Sequence, residues 1–126
     1  MEKNRHVEIR EKLNMLKHQC KPTDVWEDLL ETDVLYQDVY TDEGIQLIST
    51  SLDAFIDNIL KLDSYSDSNE VNGMLKTLIL ELNGINNESD LIGVEEREQL
   101  YNFICEVLET IKFEYDDATI DKYRMW

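Results

Sequence analysis

The sequence predicts an all-α fold: a single-domain antiparallel bundle of about four main helices, with short linkers and short accessory helices. Four glycines and one proline among 126 residues are too few for a fold with many tight turns. Leu, Glu and Lys, which favour helices, are abundant. Apolar residues also recur at steps of three and four, the spacing of one helix face. The length suits one domain, so residues 1–126 are assigned to a single acidic helical domain.

The first helix is predicted from Glu2 to Cys20. Its apolar stripe consists of Ile9, Leu13, Leu16 and Cys20, which recur at steps of four, three and four. Residues 1–21 carry six basic and three acidic groups, a balance of +3, whereas residues 22–126 carry six and twenty-five, a balance of −19. We therefore expect the Lys and Arg side chains of this helix to lie against the acidic remainder; binding an anion is the alternative.

Pro22 is predicted to end the first helix, and Thr23 to cap a short second helix that runs to about Thr32. Four of its residues are expected to face inward: Val25, Trp26, Leu29 and Leu30. The segment from Asp33 to Tyr40 is compatible with a loop, a helical turn or a short strand, and we favour helix or loop.

A long helix is predicted to begin after Thr41 as its N-cap and to reach Leu62. Asp42 and Glu43 lie in its first turn, where carboxylates are favourable. Asp53 and Asp57 form a like-charge pair on its outer side. Its apolar face comprises Ile45, Ile48, Leu52, Phe55, Ile56, Ile59 and Leu60.

A polar linker over residues 63–69, with Ser68 as a cap, is predicted to precede the third long helix, Glu70–Leu82. The buried face of this helix comprises Val71, Met74, Leu75, Leu78 and Leu82. Three polar or small residues are expected to end it: Gly84, Asn86 and Asn87.

Gly93 is predicted to close the following loop, and Val94–Phe113 to form the last long helix. Its stripe comprises Leu100, Phe103, Ile104, Val107, Leu108 and Ile111. The tail, Glu114–Trp126, begins with acidic residues and is expected to end in a short helix, with Tyr123 and Trp126 docking it on the body.

Composition limits the environment and the partners. No apolar run approaches membrane-spanning length, and the first residues lack a signal-peptide core. Cys20 and Cys105 lack the spacing of a metal site, and we expect both to be reduced thiols. These features predict a cytoplasmic protein. A net charge of −16 repels nucleic acids and anionic membranes, so neither is an expected direct partner.

The residues needed for an active site are sparse. His6 and His18 are the only imidazoles, and no Gly-rich phosphate loop occurs. Acid-rich windows that start at Asp38 and Asp63 lack the glycine and the final glutamate of a calcium-binding loop. No Glu-x-x-His pair is present for a di-iron bundle. We therefore predict no catalytic residue, no metal and no cofactor.

The stretch from Pro22 to Leu60 contains ten carboxylates and no Lys or Arg. Ordinary surfaces intersperse both signs, so we interpret it as a surface for a cationic partner, with solubility as the plain alternative. Tyr and Trp dominate binding hot spots, and flanking charges steer association. For Trp26 itself, we favour a position in the core over one at an interface. The predicted partner-binding residues are Asp24, Glu27, Asp28, Glu31, Asp33, Tyr36, Asp38, Tyr40, Asp42 and Glu43.

Three functions are compatible with such a surface. The first is an inhibitor that caps a basic protein, most naturally a nuclease whose groove is cationic. The second is nucleic-acid mimicry, with carboxylates in place of phosphates; aromatic residues favour the first, because a phosphate mimic does not need them. The third, an enzyme or metal protein, lacks catalytic groups. A further alternative to all three is a non-catalytic subunit of an assembly.

Acidic residues surround tyrosine in Glu31–Glu43 and again in Phe113–Asp117. In these segments, and in size, acidity and helicity, the chain resembles the small acidic helical immunity proteins that neutralise bacterial toxins, as in the nuclease-colicin type. That resemblance implies a cytoplasmic bacterial protein that occludes a cognate toxin without chemistry. The Tyr-Tyr binding motif of the colicin family is missing, its nearest counterpart being Ser64-Tyr65-Ser66-Asp67. No binding residue is therefore transferred from the family.

Overall fold

The computed structural model confirms the all-α prediction. It describes residues 2–36, 40–62, 68–115 and 117–126, with side chains except at 2–6, 36, 68 and 117, and no strand occurs within these ranges. The linker at 63–67 lies outside them, as does the side chain of Ser68, whose predicted cap is untested. The elements are α1 (Glu2–Gln19), α2 (Pro22–Thr32), a 3₁₀ turn (Val34–Tyr36), α3 (Asp42–Leu60), α4 (Ser68–Ser89), α5 (Val94–Thr110) and α6 (Asp117–Asp121).

Helix α3 is the centre of the bundle, because it packs against α1, α2 and α4, while α5 covers α1 and α2 from the other side. The apolar stripes predicted for α3 and α5 are confirmed. All six residues of the α5 stripe are buried, and in α3 only Leu60 is partly exposed. Since full burial of one Leu or Ile side chain contributes about 1.5–3 kcal/mol, these stripes supply much of the driving force for folding.

The predicted stripe of α1 is only partly correct. Leu13 and Leu16 are fully buried and Ile9 packs at the edge of the core, but Cys20 is exposed. The helix ends at Gln19, one residue before Cys20, so the thiol no longer follows the helical face.

The start of α2 differs from the prediction. Pro22 is the first helical residue and Lys21 is the N-cap, with no capping side chain. Thr23 is not the cap: it is fully buried, and its hydroxyl has no hydrogen-bond partner among the described residues. Proline suits the first helical position because it lacks the amide hydrogen that would be unsatisfied there. Val25 is 51% exposed, so its predicted inward position is wrong.

Helix α3 begins as predicted and α4 extends further than predicted. The Thr41 hydroxyl accepts a hydrogen bond of 3.1 Å from the Gly44 amide, which confirms Thr41 as the N-cap. Gly84, Asn86 and Asn87 were expected to end α4, but it continues to Ser89. The Asn86 side chain accepts a bond of 2.8 Å from the amide of Ile92, so it fixes the next loop instead of ending the helix.

An asparagine of α4 makes two hydrogen bonds to the backbone of the tail. Asn83 donates from its amide nitrogen to the carbonyl of Tyr123 at 2.7 Å and accepts from the amide of Met125 at 2.9 Å. Tyr123 and Trp126 both pack against the core, as predicted. This arrangement places α6 beside α4 and the last residues beside α5. Within the described ranges, no helix combines the length and the apolar character needed to cross a membrane.

Candidate partner-binding surface

Three carboxylates lie on the outer face of α2. Asp24, Asp28 and Glu31 are all exposed, at steps of four and three residues. At about 100° per residue they fall within roughly 60° of arc, opposite the buried Trp26. The face is thus a direct consequence of burying Trp26, because every residue on the far side of this short helix is turned to solvent.

The first turn of α3 extends this face. Asp42 and Glu43 are exposed, and Gln46 lies one turn further along the same side of the helix. The Gln46 side-chain amide donates to a carboxylate oxygen of Glu27, which joins α3 to α2. Hence the side of α3 that carries Asp42 is joined to α2 at Glu27. We call the following residues the acidic surface: Asp24, Glu27, Asp28, Glu31, Asp33, Asp42 and Glu43.

Between α2 and α3 the chain exposes two large apolar side chains. Val34 is 75% exposed and Leu35 is 80% exposed, both on the 3₁₀ turn. Asp33 fixes the start of this turn, because its carboxylate accepts a hydrogen bond of 3.0 Å from the amide of Leu35. An apolar pair whose backbone is fixed by Asp33 therefore projects to solvent between α2 and α3. The sequence prediction had assigned this role to tyrosines and had missed both residues.

Tyr40 does not lie on the acidic surface. It is 3% exposed, its ring lies 6.0 Å from that of Trp26, and its hydroxyl donates to Glu96 at 3.0 Å. Trp26 is in the core, with its indole nitrogen donating to Gln99 at 2.6 Å. The assignment of Tyr40 to partner binding is wrong on geometric grounds, because a buried ring bonded to α5 cannot reach a partner.

Two predicted binding residues fall outside what can be located. The side chain of Tyr36 and the whole of Asp38 lie outside the described residues. They remain predictions from the sequence. The seven residues of the acidic surface are the part of the predicted set that the structure brings together.

The far end of the acidic stretch is neutralised. Lys17 binds Asp57 at 2.8 Å, and Lys21 binds Asp53 at 2.7 Å and the Ser49 hydroxyl at 2.7 Å. The hydrogen bond that Lys17 donates to Asp57 raises the pKa of Lys17 above its usual value. This confirms that basic groups of the first 21 residues lie against the acidic body. It also corrects the view of Asp53 and Asp57 as an uncompensated like-charge pair.

No such compensation reaches the acidic surface. Across the described part of the chain, the carboxylates in ion pairs are Asp53, Asp57 and Asp121, none of them in this set. The surface thus keeps its negative potential. The same described residues contain no group of three His, Cys, Asp or Glu placed to hold a metal ion.

Comparison of the chain with protein-family models, with curated proteins and with solved structures finds no significant match. The functional argument therefore depends on the chemistry of the surface itself.

Proposed function

We propose that this protein is a non-catalytic binding protein that caps a basic partner protein through the acidic surface and the apolar pair of the 3₁₀ turn. The observation that carries the proposal is the exposed Val34–Leu35 pair between two helices whose exposed carboxylates on the acidic surface form no ion pair with any described residue. Unpaired carboxylates attract a cationic surface over a distance comparable with the Debye length. The apolar pair then supplies contact area that water would otherwise cover.

The apolar pair favours a protein partner over nucleic-acid mimicry. A mimic of DNA presents spaced negative charges alone, and its binding falls steeply with salt. Burial of a Leu side chain contributes about 1.5–3 kcal/mol that salt does not screen. Leu35 therefore takes the anchoring role that the sequence had assigned to Tyr40.

The partner that suits this surface best is a toxin with a cationic groove, such as a nuclease. Occlusion of that groove requires binding alone, in agreement with the absence of any recognised catalytic motif in the sequence. The general resemblance to toxin-immunity proteins in size, acidity and helicity supports the same proposal. In that role the protein would act in the bacterial cytoplasm, where it would protect the cell that makes the toxin.

The test is capture of partners from native cells on the immobilised protein, with washes at low and then high salt. We expect one basic protein to survive the high-salt wash, and its purified form to bind with Leu35 in the contact. A mixture of basic proteins released together would support mimicry instead. Capture of nothing at either salt would contradict the proposal.

Matched variants make the test specific to the surface. In Leu35→Ser, dissociation of the captured partner should accelerate by about tenfold or more, since an anchor side chain is lost. In Asp28→Asn/Glu31→Gln, association should slow more than dissociation accelerates. The controls are Leu80→Ser, which changes another exposed leucine on α4, and Glu11→Gln/Glu81→Gln, which removes the same charge elsewhere. Equal effects in the controls would remove this surface from the interface.

A further inference from the structure

The positive charge of the acidic body is concentrated around the C-terminal tail. Residues 22–126 contain six basic residues. Four of them line two cavities beside α6: Lys76 and Lys122 between α4 and α6, and Arg97 and Arg124 between α5 and the tail. Residues 22–126 carry a net charge of −19, so most of their few basic residues are clustered in one place.

The two cavities differ in their net charge. The α5 cavity includes Glu98 and Asp121, and the Arg124 guanidinium is already bound to Asp121 at 2.7 Å. The α4–α6 cavity, of about 480 Å³, has no carboxylate among its described lining residues. Besides Lys76 and Lys122 it is lined by the polar side chains of Asn72 and Thr119. Its size falls within the range of small-molecule sites.

The two lysines of the α4–α6 cavity converge on one aromatic ring. The ammonium nitrogen of Lys76 lies 4.9 Å from the centre of the Tyr123 ring, and that of Lys122 lies 5.4 Å from it. Both ammonium groups therefore lie around the same ring, in the lining of one cavity. Among the described residues neither has a carboxylate within 4 Å, in contrast to Lys17 and Lys21. A bound anion would supply a counter-charge to both ammonium groups.

One wall of this cavity, the tail, is hydrogen-bonded to α4. Asn83 holds the backbone of Tyr123 and Met125 through two hydrogen bonds, which fixes the tail against α4. Leu75, on the floor of the cavity, is buried in the core. A ligand would thus meet a largely formed site, which reduces the entropy lost on binding.

We propose that the α4–α6 cavity binds a small phosphate-bearing anion, with the ammonium groups of Lys76 and Lys122 binding its phosphate oxygens. A phosphate monoester carries a charge close to −2, which matches two ammonium groups, whereas a carboxylate matches one. Asn72 and Thr119 provide neutral polar groups beside them. This site is separate from the acidic surface, so the proposal goes beyond capping of a basic partner.

The experiment is an amide chemical-shift titration of the full chain with inorganic phosphate, ribose 5-phosphate and unphosphorylated ribose, each at constant ionic strength maintained with NaCl. We expect saturating shifts centred on residues 72–76 and 118–123 with both phosphates and none with ribose. Tighter binding of ribose 5-phosphate would identify a phosphorylated metabolite as the ligand, and equal binding would identify the free anion. Shifts that do not saturate, or that NaCl alone reproduces, would overturn the proposal.

Two double variants separate this site from a general effect of positive charge. Lys76→Gln/Lys122→Gln should weaken phosphate binding by about tenfold or more, because two charge-assisted hydrogen bonds are lost. Lys61→Gln/Lys112→Gln makes the same change in charge at two exposed lysines outside the cavity and should leave the affinity unchanged. Equal losses in both double variants would contradict a site at α4–α6.

Discussion

Glu96 connects two parts of the chain that the sequence keeps 56 residues apart. One oxygen of its buried carboxylate accepts the Tyr40 hydroxyl at 3.0 Å, and the other accepts the Gly93 amide at 3.0 Å. The first bond holds Tyr40 in the core, and the second satisfies an amide at the start of α5. A single side chain thus secures both the entry to α5 and the segment that leads into α3.

These two bonds predict an ordered pair of stability losses. Tyr40→Phe removes one hydroxyl and should lower the free energy of unfolding by about 1 kcal/mol. Glu96→Ala removes both bonds to a charged acceptor, so it should cost about 2–4 kcal/mol. Denaturant unfolding of each variant, with an unchanged dependence on denaturant concentration, measures both values. Equal losses would mean that the Gly93 bond contributes nothing.

Tyr40 also shows why part of the candidate surface was not predictable. In the sequence it lies among carboxylates, four residues after Tyr36, and nothing local indicates a partner on α5. Val34 and Leu35 present the converse problem, because a three-residue turn is too short for periodicity to indicate which side chains face solvent. By contrast the exposure of Asp24 and Asp28 followed from the helical spacing relative to Trp26.

At the scale of whole elements, periodicity predicted α3 and α5 well because each has one continuous apolar face. The predicted end of α4 was wrong, because it relied on Gly84 and Asn86 being residue types that commonly end a helix. Ile85 packs at the edge of the core, and Asp90 ends the segment with a φ of 51° in place of the expected glycine. Tertiary packing therefore outweighed local preference at that end.

Two glycines in helices provide a matched test of that packing. A Cβ at Gly44 would lie 2.8 Å from the capping hydroxyl of Thr41 and 3.0 Å from a methyl group of Leu91, so Gly44→Ala should destabilise the fold. A Cβ at Gly84 meets nothing within 4 Å, and Gly84→Ala should stabilise it by about 0.5–1 kcal/mol through helix propensity.

Thermal unfolding of the two alanine variants distinguishes these effects by sign. A stabilised Gly44→Ala would mean that Thr41 and Leu91 adjust freely, and a destabilised Gly84→Ala would mean that α4 does not continue past that residue. Gly73→Ala, also without near contacts, serves as an independent control for Gly84→Ala.

At the scale of the molecule, charge is distributed unevenly. The basic groups Lys17 and Lys21 are used to hold the first residues against α3, and four more basic groups surround the tail. The acidic surface on α2 and α3 forms no ion pair with the part of the chain that the structure describes. Each half-exposed ion pair contributes at most about 1 kcal/mol to stability. The repulsion, by contrast, acts among all the carboxylates of a chain whose net charge is −16.

The balance of these two effects predicts how salt changes stability. Because screening removes more repulsion than attraction, the free energy of unfolding should rise by roughly 1 kcal/mol or more between low salt and about 0.5 M NaCl. Denaturation by urea, which is uncharged, measures this without adding ions. Asp57→Asn, which removes the partner of Lys17, should keep the same direction of change. A stability that falls with salt would show that ion pairs outweigh repulsion.

The exposed thiol of Cys20 offers a practical way to follow these surfaces. It lies in a cleft beside Asp24 and Val25, at the edge of the acidic surface. Cys105 is half-buried, and its contact with Tyr115 raises the pKa of that tyrosine. A maleimide dye should therefore label Cys20 first. Its emission would change when a partner covers the α2 face, and would stay constant when an anion fills the α4–α6 cavity. One fluorophore can thus distinguish the two binding events in the same sample.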